Sequence, residues 1–380
     1  MVFLSESPIA LYWCNVANKI NLFNNPNDRT NRRLSYDQLL FMLLFIYLTS
    51  ETYAKIIRYR EEQFYLDPNT REKKQFPSIE DPSTLLLSVI VPAYNEEKRL
   101  PVMLEECLDF LEKKLKGNPS CTYEVIIVDD GSTDRTTEVG LSYSKKYGCH
   151  KVRVLTLSTN RGKGGAVRLG ILSSRGKQLL FADADGATTF EDISKLQDNL
   201  KQLINGQSLD DALALVCGSR AHLEKEAIAS RSFFRTILMK GFHLLVWLFA
   251  ARSVRDTQCG FKLFTRSTAR LCFPNLHIER WAFDVELLYI AEYMKIPTGE
   301  VAVRWEEIEG DILVHFFSYL HILRRVFLLP LQFSNRYIAL GYSEIRISKG
   351  ETQRRNGLFV ETWQRHPLSA VDLVWTEGTS

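Results

Sequence analysis

Between Leu86 and Ala182 four short apolar runs, Leu86–Val91, Glu124–Val128, Val152–Leu157 and Gln178–Ala182, alternate with helical patterns. The helical stretches fall around Pro101–Leu115 and Asp134–Tyr147, from Gly164 and from Glu191. Strand, helix, strand in regular succession predicts a parallel sheet with covering helices, because a parallel pair needs a crossover connection. Leu213–Gly218 adds a strand, and Thr298–Trp305 is the last candidate. Open α/β sheets meet ligands outside the carboxyl ends of their strands. The residues just past each run therefore decide what the chain can bind.

The first run leads into Pro92-Ala93-Tyr94-Asn95-Glu96. Pro92 is expected to stop the strand, Tyr94 to stack on a planar base and Glu96 to hydrogen-bond a ribose or base edge, with Asn95 as a helix N-cap. The second leads into Asp129-Asp130-Gly131-Ser132-Thr133. One of Asp129 and Asp130 can accept from the imide of a uracil or the N–H groups of a guanine, since two carboxylates at a buried strand's mouth are costly without a partner. The third leads into Asn160-Arg161-Gly162-Lys163-Gly164-Gly165, glycine-rich and basic at a helix start. It is neither a dinucleotide fingerprint, because residue 167 is Val, nor a Walker loop. It either sets Lys163 and backbone amides beside a diphosphate or forms a bare turn. The fourth leads into Asp183-Ala184-Asp185-Gly186. A period of two puts Asp183 and Asp185 on one side of the strand end, where hard oxygen ligands suit Mg²⁺ or Mn²⁺ together with a diphosphate. An Asp-Gly turn is the plainer alternative.

With 380 residues, 45% of them hydrophobic, the chain can bury a sizeable core. Its 48 basic and 45 acidic residues leave a formal charge of +3, so no nucleic-acid partner is expected. Seven cysteines, an odd number without a Cys-x-x-Cys pair, point to a reduced compartment. No secretory signal peptide is expected in residues 1–35, a polar extension. Residues 36–57 contain QLLFMLLFIYLTS and read as a membrane anchor or interfacial helix. Residues 58–84 read as a solvated linker and 85–309 as the compact domain, within which the apolar block Ile237–Ala251 fits a core helix or a membrane-facing one. In 310–333, Asp311, His315, Ser318, His321 and Arg325 form one polar stripe on an otherwise apolar helix, which fits a helix lying at a bilayer surface or one capping the sheet. Residues 334–380 form a polar tail.

The series VPAYNEE, VDDGSTD, NRGKGG and DADG resembles the GT-A nucleotide-sugar transferases of the inverting family 2, which includes the polyprenyl-phosphate sugar synthases. GSRAHLEKE, RDTQCGFKLF and ERWAFDVELL further downstream are most similar to the members that glucosylate dolichyl phosphate, and the likeness runs from about Ser88 to Gly310. The resemblance implies a Rossmann-like, mostly parallel α/β sheet with flanking helices and an N-terminal membrane helix. It implies UDP-glucose and dolichyl phosphate as substrates, Mg²⁺ or Mn²⁺ as cofactor, and a place in the endoplasmic reticulum membrane facing the cytosol. Pro92, Tyr94 and Glu96 match positions lining the nucleotide, with Asp129 and Asp130 beside the base. Asp183 and Asp185 match the pair that holds diphosphate and metal, Lys163 lies beside that diphosphate, and Arg220 matches a phosphate-facing cation. Asp284 falls near the acceptor-side carboxylate. A phosphate acceptor needs no general base, so Asp284 or Asp256 is expected instead to orient cations such as Lys262 or Arg280. The chain departs from the family where Asp311-Ile312 replaces Ser-Lys, leaving Lys163, Arg220, Arg231 or Arg235 to compensate. Two rival readings are a GDP-mannose-dependent mannosyltransferase and a donor-binding homologue without turnover.

Overall fold

The computed structural model describes residues 58–221, 254–280 and 282–306. The expected anchor at 36–57, the apolar block at 237–251, the striped helix at 310–333, the tail, and Arg231, Arg235 and Asp311 lie outside the described residues. Among those described, no helix is long and apolar enough to cross a membrane.

Two short strands, β1 (Phe64–Leu66) and β2 (Lys73–Gln75), precede β3 (Leu85–Ala93), β4 (Tyr123–Asp129), β5 (Val152–Thr156), β6 (Gly176–Ala182), β7 (Leu215–Ser219), β8 (Phe261–Thr265) and β9 (Thr298–Ala302). The last seven form the central sheet in the order β5-β4-β3-β6-β8-β7-β9. The helices between the first strands are α1 (Leu100–Gly117), α2 (Thr136–Tyr147), α3 (Lys163–Leu172) and α4 (Ile193–Ile204).

β3 sits at the centre, and Val89, Ile90 and Val91 have no exposure, because both faces of the sheet are covered. Alternate residues serve opposite layers. Val89 and Val91 join one core cluster with Leu100, Leu104, Leu108 and Leu111 of α1 and Leu196 and Leu200 of α4. Their recurrence at three and four residues gives each of these helices one apolar face. Ile90 and Val128 point to the other layer, where α3 approaches so closely that a Cβ on Gly170 would lie 2.5 Å from Ile90 Cγ2.

Two expectations are corrected. Pro92 does not stop β3, which continues to Ala93; pairing with β6 ends at Ile90, so the missing proline N–H costs no bond there. The sheet is mostly parallel, as expected, with one reversed strand. β8 runs antiparallel to both β6 and β7, with Lys262 opposite Phe181 and Phe261 opposite Ala182. FKLF conceals this strand, since Lys262 breaks an apolar run yet is completely buried.

The second correction concerns residues 58–84, which are more than a solvated linker. β1 and β2 pair antiparallel, and Glu62, Phe76 and Ile79 are buried. The Arg153 guanidinium of β5 lies against the rings of Tyr65 and Phe76, 5.3 and 5.1 Å from their centroids. Arg266, at the start of α5 (Arg266–Cys272), donates to the carbonyls of Ser78 and Asp81 at 3.2 and 2.8 Å. The one fully buried charge of the segment, Glu62, has its ionic partner far along the chain in Arg161, and for that reason the stretch reads locally as a linker.

Candidate active site

The carboxyl ends of β3, β4 and β6 converge with the amino end of β8. Asp183, just past β6, donates its amide to the Gly260 carbonyl at 3.2 Å. Its carboxylate lies where a Cβ on Gly260 would stand, so only glycine fits at 260. Lys163 Nζ reaches Asp183 Oδ1 at 2.6 Å. Burial disfavours charge on this lysine, but Asp183, Asp284 and Asp185 outweigh it and raise its pKa. Asp185 Oδ1 accepts from the Ala187 amide at 2.9 Å, an Asx turn, while burial and then the Asp183 charge raise its pKa. The turn and the functional pair therefore coexist.

Toward β4, both aspartates brace loops. Asp129 accepts from the Ser132 amide at 2.8 Å and from the Thr137 hydroxyl. Asp130 accepts from the amides of Arg161 and Gly162, each at 2.7 Å, and burial nevertheless pushes its pKa up to about 6. Each carboxylate oxygen keeps a further lone-pair direction for a base N–H. The glycine-rich loop differs from a bare amide cradle. Gly165 donates its amide to the Glu279 carbonyl at 2.8 Å, and a Cβ on Gly164 would lie 2.5 Å from Phe283 Cβ, so these glycines admit the 278–283 segment. Pro92 is buried in β3 and Tyr94 is 48% exposed. Arg99 Nε and Nη2 donate to the two Glu96 oxygens at 2.7 and 2.6 Å, which fixes this carboxylate and leaves each oxygen one further lone-pair direction. Burial raises the Glu96 pKa; Arg99 opposes this, while Asp185 and Asp183 reinforce it.

On the β7–β8 side, Asp256 orients neither Lys262 nor Arg280. Its partner is Arg220, through Nε at 2.7 Å, Nη2 at 3.0 Å and the backbone amide at 2.9 Å. The Arg220 guanidinium also lies 5.2 Å from the Trp305 ring. Trp305 in turn bridges to Thr188, three residues past Asp185. Asp284, in the first turn of α6 (Phe283–Tyr293), does pair with Lys262 at 2.6 Å. That lysine cannot also serve an acceptor phosphate: it is fully buried and donates to the carbonyls of Thr257 and Cys259 at 3.1 and 2.7 Å. Burial raises the Asp284 pKa against the pull of Lys262 and Lys163. Two positions packed against these side chains, Gly260 and Trp305, escape the sequence reading. A glycine directly before a strand is the available signal for the first, and nothing local marks the second.

The donor set fits a divalent cation. Asp183 and Asp185 carry more negative charge than Lys163 neutralises, and among the described residues no group of three or more His, Cys, Asp or Glu side chains offers a complete protein cage. Two carboxylates with open positions for phosphate oxygens and water match the way Mg²⁺ is bound alongside a nucleotide.

The sequence model of the family described as Glycosyl transferase family 2 matches residues 88–264. The chain is 61% identical over 296 residues to a dolichyl-phosphate β-glucosyltransferase of Drosophila melanogaster, covering 78% of this chain and 90% of that one. The Homo sapiens protein of the same name is 54% identical over 295 residues, with the same coverage. Among solved structures, glucosyl-3-phosphoglycerate synthase from Mycobacterium tuberculosis with Mn²⁺ and UDP-glucose aligns with a TM-score of 0.43 at 18% identity, covering 66% of this chain and 79% of that one. The sheet is that of a GT-A-like α/β fold, and the chain belongs to the dolichyl-phosphate β-glucosyltransferases of glycosyl transferase family 2.

Proposed function

We propose that the protein transfers glucose from UDP-glucose to dolichyl phosphate with inversion, giving dolichyl β-D-glucosyl phosphate. The observation that carries this reading is the cluster of Asp183, Asp185 and Lys163 at the ligand edge of the sheet. The relatives' names support glucose as the sugar and dolichyl phosphate as its acceptor. Tyr94 stacks on the base, and Asp129 and Asp130 present their remaining lone pairs to its N–H groups. Asp183 and Asp185 would hold Mg²⁺ or Mn²⁺, which supplies positive charge against the departing diphosphate. Lys163 adds a fixed cation on the same side, and Arg220, oriented by Asp256, faces phosphate.

An oxygen of the acceptor phosphate forms the new bond to glucose C1 as the C1–O bond to UDP breaks, and its electrons leave with UDP. One in-line displacement converts an α-linked donor to a β-linked product. The acceptor's second pKa is near ~6, so it is already largely dianionic at pH 7 and no base is required. Asp284, tied to Lys262, instead holds the β8 start in place. Residues 36–57 and 310–333 are read as the bilayer-contacting parts, at the cytosolic face of the endoplasmic reticulum, with 85–309 as the catalytic domain. Of the cations available to offset Asp311, the two described ones are engaged, Lys163 with Asp183 and Arg220 with Asp256.

The test is a donor panel on membranes containing the chain, with dolichyl phosphate and Mg²⁺ or Mn²⁺. Glucosyl lipid from UDP-glucose is expected. Preference for GDP-mannose, or donor binding without product, would replace this reading with one of its rivals.

A further inference from the structure

The stretch upstream of the family match contributes a buried carboxylate to the glycine-rich loop. Glu62, in the short turn Glu61–Gln63, has no solvent exposure. Its Oε1 accepts from the Ser158 amide at 3.1 Å and from Arg161 Nη2 at 3.0 Å. Its Oε2 accepts from Arg161 Nη2 at 2.9 Å and from the Tyr59 amide at 3.0 Å. The Tyr59 ring covers the Arg161 guanidinium at 5.2 Å. Arg58 Nη2 pins the turn from behind, donating to the Glu62 carbonyl at 3.1 Å and to Ser173 Oγ at 2.7 Å.

Arg161 is the hinge between this turn and the ligand edge. Its amide and that of Gly162 are the two donors that Asp130 accepts, and Lys163, two residues on, reaches Asp183. Glu62, Arg161, Asp130, Lys163 and Asp183 thus form a contiguous series of hydrogen bonds and one short piece of backbone. The Arg161 guanidinium is buried with Glu62 against it. A buried charge that loses its partner is driven toward water or another partner. Such a movement of Arg161 would draw its amide off Asp130 and turn Lys163 away from Asp183.

We propose that Glu62 is a positioning residue for the donor diphosphate, fixing the Arg161–Lys163 loop, and that the stretch at 58–66 is thereby part of the donor site. The proposal rests on the reading of that loop as donor-binding. Its consequence is a selective one: the donor side depends on Glu62 and the acceptor side does not.

The experiment compares the full chain with Glu62→Gln and Glu62→Asp in the same membranes. Outer partners that orient a ligating group are worth about 10–100-fold, so Glu62→Gln is expected to raise the KM for UDP-glucose about tenfold. The KM for dolichyl phosphate should be unchanged, kcat should stay within about threefold, and Glu62→Asp should recover most of the loss. An unchanged donor KM in Glu62→Gln, or an equal rise for both substrates, overturns the proposal. Should Glu62→Gln fail to fold, Tyr59→Leu removes only the ring over Arg161; a donor KM raised about two- to threefold supports the proposal and an unchanged one overturns it. If the wild type does not use UDP-glucose, the proposed function falls by itself. Binding of UDP to wild type and Glu62→Gln then decides the inference, with weaker binding by the variant for it and equal binding against it.

Discussion

Two clusters of buried charge stand at opposite edges of one sheet and are built on opposite principles. At the strand starts, Glu124 accepts from Arg153, from Arg175 Nε at 2.9 Å and the Arg175 amide at 2.7 Å, and from Ser88 Oγ at 2.6 Å. Burial works against its charge, but Arg153 and Arg175 outweigh burial and the pKa falls. At the strand ends, Asp185, Asp284 and Glu96 all have raised pKa values, each chiefly through burial, with neighbouring carboxylates adding to it. In the first cluster two guanidiniums more than cancel one carboxylate, whereas the second holds more negative charge than its own cations cancel. A buried carboxylate is thus a brace where its donors outnumber it and a binding site where they do not.

The sharpest way to break this contrast is to remove one carboxylate from each edge. Glu124→Gln leaves Arg153 buried without its counter-charge and should cost about 3–5 kcal/mol in urea unfolding, while kcat of the folded fraction stays at the wild-type level. Asp185→Ala should do the reverse. Glucose transfer falls by at least about a hundredfold, the scale of losing one preorganised electrostatic contact, with no loss of unfolding free energy because a repulsion with Asp183 is relieved. Near-normal transfer by Asp185→Ala would remove the metal assignment. Gly164→Ala pushes a methyl group against Phe283 and should cost about 1–3 kcal/mol, read by thermal melting. A silent substitution there would return the loop to an amide cradle.

The smallest signal is a pH slope. Asp130 has a native pKa of about 6, above the ~3.9 of an unfolded chain. Between these values the native state binds the extra proton, so the group's contribution is fully present below ~4, falls as pH rises through 6 and is flat above. Urea unfolding at pH 4.5 and 7 should therefore show wild type losing stability relative to Asp130→Asn across that interval. A difference that does not change with pH would place Asp130 among the braces.

The ligand edge is legible in the sequence because its residues come directly after apolar runs: Asp129 and Asp130 close β4, and Asp183 and Asp185 lie just past β6. Partners set by long-range packing are not. Glu62 and Arg161 are separated by 99 positions, and of the two carboxylates expected to orient a cation such as Lys262 or Arg280, Asp284 takes Lys262 while Asp256 is held by Arg220. The glycines at 164 and 260 are visible as residues, but the groups that crowd them, Phe283 and Asp183, come from other elements. β8 escapes for the opposite reason, since its polar Lys262 is satisfied by an element that a single segment does not contain.

The reversed direction of β8 also places Ser219 at the end of β7 and Phe261 at the start of β8 on the same rim. Chain departing past Arg220 and returning at Asp256 is clasped at its neck by that ion pair. One ion pair therefore ties the exit of β7 to the approach to β8, and losing either partner would loosen the rim at both strands at once.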